Sequence, residues 1–188
     1  MKKKTEINQL PTSPALVGKD VYLRPAEPAD YELTYRWFLA SDPHSQTCHL
    51  IRMATPAQAA ERAKQREINV NEGDFIIIRL EDDNPVGKIR YFNLNMLNRS
   101  AEVGIIMAPD ARKQGYAKEG LSLLVGYLFA YLNLNKVYAQ TSTFNKAAIK
   151  LLEALDFKLD GTLRQHHYFK GDLYDDLVYS LLKFEYSP

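Results

Sequence analysis

A single cysteine, Cys48, leaves the chain unable to form an internal disulfide, which fits a reducing compartment and makes the cytoplasm the expected location. No apolar run approaches the ~18–20 residues a membrane span needs. The N-terminus lacks the apolar centre of a signal peptide. Formal net charge is only +1, so no global basic field asks for nucleic acid and no acidic tail is present. Internal repeats, low-complexity tracts and linkers are missing too. The adjacent pair His166-His167 invites a metal, but neighbours on a strand point to opposite faces, and no Cys or carboxylate stands at a ligand spacing nearby. No metal is expected. Cys48 lies in a stretch without pattern and reads as inert rather than nucleophilic.

What is present suffices for one core: 188 residues, 46% of them hydrophobic. A flexible tail over residues 1–16, opening on a lysine run, is expected to precede a single domain over 17–188. The rest is organised around the stretch from Glu102 to Leu132. Val103 to Ile106 is a short β-branched run, Pro109-Asp110 marks a turn, and an amphipathic helix follows. In that helix Leu121, Leu124, Val125, Leu128, Phe129 and Leu132 form one apolar stripe at the helical period. A strand turning sharply into a helix leaves the first helical N–H groups unpaired, with the helix dipole adding positive charge there. Arg112, Lys113 and Gly115 sit in that turn, which suits a diphosphate or similar anion. Many such turns nonetheless carry a Lys and a Gly for no ligand. A P-loop is ruled out because Leu121 stands where its lysine must be. A dinucleotide fingerprint fails because only Gly115 of its three glycines is there.

The pattern Arg112-x-x-Gly115-x-Ala117 resembles the acetyl-coenzyme A pyrophosphate loop of the GNAT superfamily of N-acetyltransferases. The likeness continues through a strand (136–141), an Asn-led helix (145–155) and Asp156-Phe157, close to the Gly-Phe pair usual in that family. VYLRPAEPADYELTYRWF near the start and RQHHYFKGDLYDDLVYSLLKFEY near the end look like the subgroup of ribosomal-protein N-terminal and spermidine acetyltransferases. The resemblance implies an α/β GNAT fold: a mixed, mostly antiparallel sheet of about seven strands with a splayed parallel pair, flanked by about four helices. It implies acetyl-coenzyme A as cofactor, held by Ile105, Ile106, Met107, Arg112, Lys113, Gln114, Gly115, Tyr116, Ala117 and Asn145. One N–H from within Ile105 to Met107 would bond the thioester oxygen. The implied reaction is acetyl transfer to a primary amine by direct attack in a ternary complex. The acceptor would be a protein N-terminus, a polyamine, an amino sugar or an amine antibiotic. A homodimer is allowed by resemblance only. A non-catalytic acyl-coenzyme A binding protein of the same fold is the alternative.

The remaining elements follow in order. Val21 to Arg24 reads as a first strand ended by Pro25, and Pro28 and Asp30 open a helix with Tyr31, Thr34, Tyr35 and Phe38 on one face and Trp37 as a packing anchor. Ser41-Asp42-Pro43 breaks it. Residues 43–55 carry no period. Thr55-Pro56 starts a second helix running to about Asn71. A hairpin over 74–95 leads to the central strand, and a long hairpin turning at Lys170-Gly171-Asp172 ends in a strand from Tyr174 to Phe184.

An alkyl ammonium, with a pKa near ~10, must lose a proton before it attacks. Glu102, on the strand face shared with Gly104 and Ile106, is the candidate base; pairing with Arg99 or Arg90 is its structural alternative. Asn145 is both a helix cap and a match to the family asparagine that steadies the cofactor arm. Seven residues on, where the family usually carries an acidic tyrosine, stands Leu152. Another group such as Tyr138 or Ser142, water, or unassisted departure of the thiolate must then serve. His166, Tyr168, Tyr174 and Asp175 are the candidate acceptor contacts, with an aromatic hairpin packed on the sheet as the plain alternative. For a polyamine, the carboxylates to watch are Glu27, Glu32, Asp175 and Asp176.

Overall fold

The computed structural model describes residues 16–41, 53–65 and 69–187. The chain runs β1 (Leu16–Val17), β2 (Val21–Pro25), α1 (Asp30–Ala40), α2 (Pro56–Lys64), β3 (Gly73–Arg79), β4 (Pro85–Asn95) and β5 (Ser100–Met107). After a 3-10 turn at Pro109–Ala111 come α3 (Tyr116–Ala130), β6 (Lys136–Ser142), α4 (Lys146–Glu153), β7 (Lys158–Phe169) and β8 (Asp172–Leu182). All strands join one sheet in the order β1-β2-β3-β4-β5-β6-β8-β7. Every adjacent pair is antiparallel except β5 with β6. A parallel pair needs a crossover, and α3 supplies it.

Three boundaries differ from expectation. The sheet has eight strands rather than about seven, because Leu16 and Val17 pair with Leu23 and Tyr22. Residue 16 therefore belongs to the sheet rather than to a tail. Helix α2 begins as read, with Thr55 and Gln58 forming a reciprocal capping box ahead of Pro56, but stops at Lys64 instead of near Asn71. Further on, the Asn69 side chain accepts from the Asn71 amide at 3.0 Å and the Asn69 carbonyl from Glu72, local bonds that compete with a helical ladder. Helix α4 is capped by Asn145, which accepts from the Ala148 amide, and is closed by Asp156 at φ 61. Asp156 thus adopts the left-handed conformation for which glycine is usual at that point. The final strand ends at Leu182, where a 3-10 turn over Lys183–Glu185 takes over. Cys48 and the break after Ser41 lie outside the described residues, as do residues 1–15.

The apolar stripe of α3 packs as its period requires: Leu121, Leu124, Val125, Leu128 and Phe129 are buried in the main core with Val21, Leu23, Ile77, Ile89, Val103 and Val137. Each such leucine contributes ~1.5–3 kcal/mol by leaving water. At Gly120 the helix backbone approaches β3 so closely that an added Cβ would lie 2.9 Å from Ile77 Cδ1. Trp37 is buried in the same cluster, as an anchor should be.

Candidate functional site

The parallel pairing of β5 and β6 is short. Ser100, Ala101 and Glu102 face Lys136, Val137 and Tyr138, and there the contact ends. Strand β6 continues to Ser142 against β8, while β5 continues to Met107 against β4. The two strands therefore splay, with Glu102 at the root of the gap. The Ala108 amide donates to the Val86 carbonyl across β4. Because hydrogen-bonded rungs alternate along an antiparallel pair, the amides of Ile106 and Gly104 also face β4. Those of Met107, Ile105 and Val103 face the gap. Of the expected run, Ile105 and Met107 thus present their amides to the gap and Ile106 presents its amide to β4.

Each face of the sheet carries a cleft at this gap. One, of about 320 Å³, lies under α1 and α2 and is lined by Tyr31, Thr34, Tyr35 and Phe38, by Lys88, Arg90 and Phe92 of β4, and by Glu102 to Ile106. The α1 residues that share a helical face are therefore a cleft wall, with Thr34 the buried one. The other cleft, of about 100 Å³, lies under α3 and α4, between Leu121, Thr141, Asn145, Leu152 and the same Val103–Ile105 segment. Gln140 lines both.

At the N-terminus of α3 the cap residue Gly115 has φ 89, and among the described residues no side chain caps the helix and no atom beyond its chain neighbours lies within 4 Å of where a Gly115 Cβ would be. Lys113 shares the left-handed conformation at φ 62. The cradle is open, so the donors and charges needed for a diphosphate fit there. Tyr116 and Ala117 supply its first helical amides. Gln114 is turned away: its Nε2 donates to the Asp110 carbonyl at 3.1 Å. Arg112 folds back toward the gap, its guanidinium donating to Ser41 Oγ and reaching the Met107 carbonyl at 3.5 Å.

Glu102 is buried at 7% exposure. A bulge in β4 puts Asn93 at φ 52 and lets its Nδ2 donate to Glu102 Oε2 at 2.9 Å. Arg99 spends its guanidinium on the Asn133 carbonyl and side chain, and Arg90 pairs with Glu72 and Asp74. Across the last rung, burial and then the Glu102 charge push the Tyr138 hydroxyl above its ordinary pKa, partly opposed by a hydrogen bond from Asn93. Tyr138 therefore holds its proton at neutral pH. Lys88 is tied to Asp74 at 3.3 Å and lies 4.3 Å from the centre of the Tyr31 ring. Burial pushes the Asp74 carboxyl up, but Lys88, Arg90 and the Tyr31 hydroxyl more than offset it and hold it below its ordinary value.

The C-terminal hairpin distributes its residues differently from the sequence reading. His166 and Asp175 line an open depression with Arg164 and Gln165, not either gap cleft. Tyr168 is 69% exposed, and Tyr174 packs edge-on against Phe144. Glu27 and Glu32 are exposed. The residue that lines the gap is Gln140, whose Nε2 donates to Asp176 Oδ2 at 2.8 Å; behind it His167 and Asp176 are buried together with Nδ1 and Oδ1 at 3.2 Å. The β6–β8–β7 register brings them together, and strand period alone could not say which histidine would turn inward.

A mixed sheet splayed beside an open helix start is the arrangement that the resemblance to acyl-coenzyme A binding transferases implies. Residues 20–158 match the family model described as the acetyltransferase (GNAT) domain, and the chain belongs to that family. Among its relatives are an uncharacterised N-acetyltransferase, p20, of Bacillus licheniformis, 36% identical over 113 residues covering 60% of this chain and 64% of that one. The spermidine N(1)-acetyltransferase of Vibrio cholerae is 28% identical over 115 residues, 61% of this chain and 66% of the relative. The uncharacterised YoaA of Bacillus subtilis is 37% identical over 52% of this chain and 55% of its own. The matches thus span less than two thirds of these relatives' lengths. The crystal structure of the Vibrio cholerae spermidine N-acetyltransferase, a complex with CoA and spermine, superposes with a TM-score of 0.81 over 90% of this chain and 99% of that one, at 23% identity. At that identity the likeness speaks for the fold. No helix among the described residues is long and apolar enough to cross a membrane.

Proposed function

We propose that this chain transfers an acetyl group from acetyl-coenzyme A to a primary amine by direct attack in a ternary complex. The observation that carries the reading is the gap itself: two clefts on opposite faces of one sheet, meeting where the Ile105 and Met107 amides point and Glu102 stands. Acetyl-coenzyme A would supply an acetyl thioester. Gly115 and the amides of Tyr116 and Ala117, with Lys113 and Arg112 beside them, hold its diphosphate, and Asn145 borders the path of its arm. The gap-facing amides donate to the oxygen on which negative charge develops. Glu102, steadied by Asn93, takes the proton that the attacking amine must lose. Leu152 has no proton to give the departing sulfur. Tyr138, whose hydroxyl lies beside Glu102 and Asn93 at the root of the gap, would give one, directly or through water.

The test is thiol release from acetyl-coenzyme A by the full chain with spermidine, glucosamine and a serine-initiated hexapeptide, alongside calorimetric titration with acetyl-coenzyme A. Turnover with any of them supports the reading; no binding of acetyl-coenzyme A removes it. Leu152 favours one second reading, a non-catalytic acyl-coenzyme A binding protein. Tight binding without turnover on the whole panel would select it.

A further inference from the structure

Gln140 stands on β6 beyond the last rung shared with β5, at the wall common to both clefts. Its side-chain amide has one orientation open to it. The partner of Nε2 is a carboxylate, which accepts and does not donate, so the nitrogen end must face Asp176 and Oε1 lies on the other side. Asp176 is 0% exposed, and a buried carboxylate is tolerated only among donors. His167, 3% exposed, approaches its other oxygen, and Phe144 packs edge-on against the imidazole at 5.2 Å. The register sets Asp176 opposite Ser142 on β6 and Leu163 on β7, so three strands converge on holding one amide. Stability alone does not require such a group, because well-packed apolar residues of similar volume commonly serve as well or better. What the contact with Asp176 achieves is a fixed amide on a side chain that lines both clefts.

We propose that Oε1 of Gln140 accepts a hydrogen bond from the attacking amine, and that Asp176, with His167 Nδ1 3.2 Å from its other oxygen, is the positioning residue that turns the amide to offer it. This rests on the acetyl-transfer reading above. A neutral primary amine brings two N–H bonds and one lone pair. Once Glu102 has taken the ammonium proton, Oε1 holds one N–H of the neutral amine, which aims the lone pair across the gap; the proton shed when the C–N bond has formed goes to the departing sulfur, directly or through water. The C–N bond forms, the C–S bond breaks, and the sulfur leaves with that electron pair; Gln140 neither gains nor loses a proton. As the nitrogen becomes positive its N–H donates more strongly, so the contact tightens in the transition state.

The experiment compares the full chain with Gln140→Leu, Asp176→Asn and their combination, using spermidine, glucosamine and the serine-initiated hexapeptide as acceptors. Losing one such contact is expected to lower kcat/KM for the best of these acceptors by about tenfold or more. Acetyl-coenzyme A affinity falls by less than kcat/KM does. Asp176→Asn lowers kcat/KM alone and adds nothing in the Gln140→Leu background, a coupling that a merely structural role would not produce. If Gln140→Leu does not fold, Gln140→Leu with Asp176→Leu, which removes the buried charge as well, takes its place under the same criteria for Gln140. Unchanged kcat/KM, a matching loss of acetyl-coenzyme A affinity, or equal cost of Asp176→Asn in both backgrounds overturns the proposal. Should the unaltered chain release no thiol with any acceptor, it is acetyl transfer that fails. The inference is then decided by calorimetry of the same amines on the CoA-saturated chain: weaker binding in Gln140→Leu supports it, and equal or no binding overturns it.

Discussion

The turn before α3 and the wall across the gap are built in opposite ways. The turn is one continuous run, Arg112 to Ala117, whose geometry comes from its own backbone: two left-handed residues, Lys113 and Gly115, and a helix start with no side-chain cap. The wall is assembled from α1, β4, β5, β6 and β8, and apart from the run Glu102 to Ile106 and the pair Thr34-Tyr35 its residues lie apart in the chain. A local device binds whatever shape the backbone dictates, which suits a cofactor shared by a family. A distributed wall changes with any one of its elements, which suits an acceptor that differs from member to member.

That contrast can be broken first at Glu102. Replacing the proposed base with Glu102→Gln keeps the shape of the wall and the Asn93 contact. It should lower kcat by about 10²–10⁴-fold while calorimetric affinity for acetyl-coenzyme A stays constant. A loss under threefold would remove Glu102 from the mechanism. Gly115→Val attacks the other side. A β-branched residue at φ 89 costs about 1–2 kcal/mol of stability, read as a fall in Tm, and acetyl-coenzyme A binding should weaken about tenfold. Unaltered affinity would mean that the turn is not the diphosphate site.

Asp74 sharpens the comparison through pH. Its folded pKa lies below the ordinary carboxylate value, so its stabilising contribution is complete above an unfolded value of ~3.9 and is lost as pH falls through the lower folded one. Thermal melts from pH 6 down to pH 2 should therefore show the acid-side drop in Tm flattened in Asp74→Asn. An unchanged slope would mean that the Lys88–Asp74–Arg90 cluster does not brace the wall. The smallest effect is expected at Arg112→Ala, about threefold in acetyl-coenzyme A affinity, because that guanidinium is exposed and shared with Ser41 and the Met107 carbonyl. A loss as large as that of Gly115→Val would make charge, rather than backbone shape, the basis of the turn.

Much of the fold was legible because its signals are periodic or local. The α3 stripe, the Thr55 and Asn145 caps and the hairpin turn at Lys170-Gly171-Asp172 appear where the residues put them. Helix α2 was read too long because side-chain bonds at Asn69 are invisible to helical period. For acceptor contacts the sequence points to the hairpin, to His166, Tyr168, Tyr174 and Asp175, while the gap itself is lined by Tyr31, Tyr35, Phe38 and Gln140. Asn93 carried no signal at all, since a β-bulge is what aims it at Glu102.

By itself the sequence determined the helix periods, the strand runs, the caps and the open turn at Gly115, because each depends on residues close together along the chain. Tertiary structure alone decided where β5 and β6 part, which amides face the gap, and which histidine and carboxylate come to lie beside Gln140. Those outcomes depend on register between strands far apart in sequence, and a shift of one residue would exchange every inward side chain for its outward neighbour.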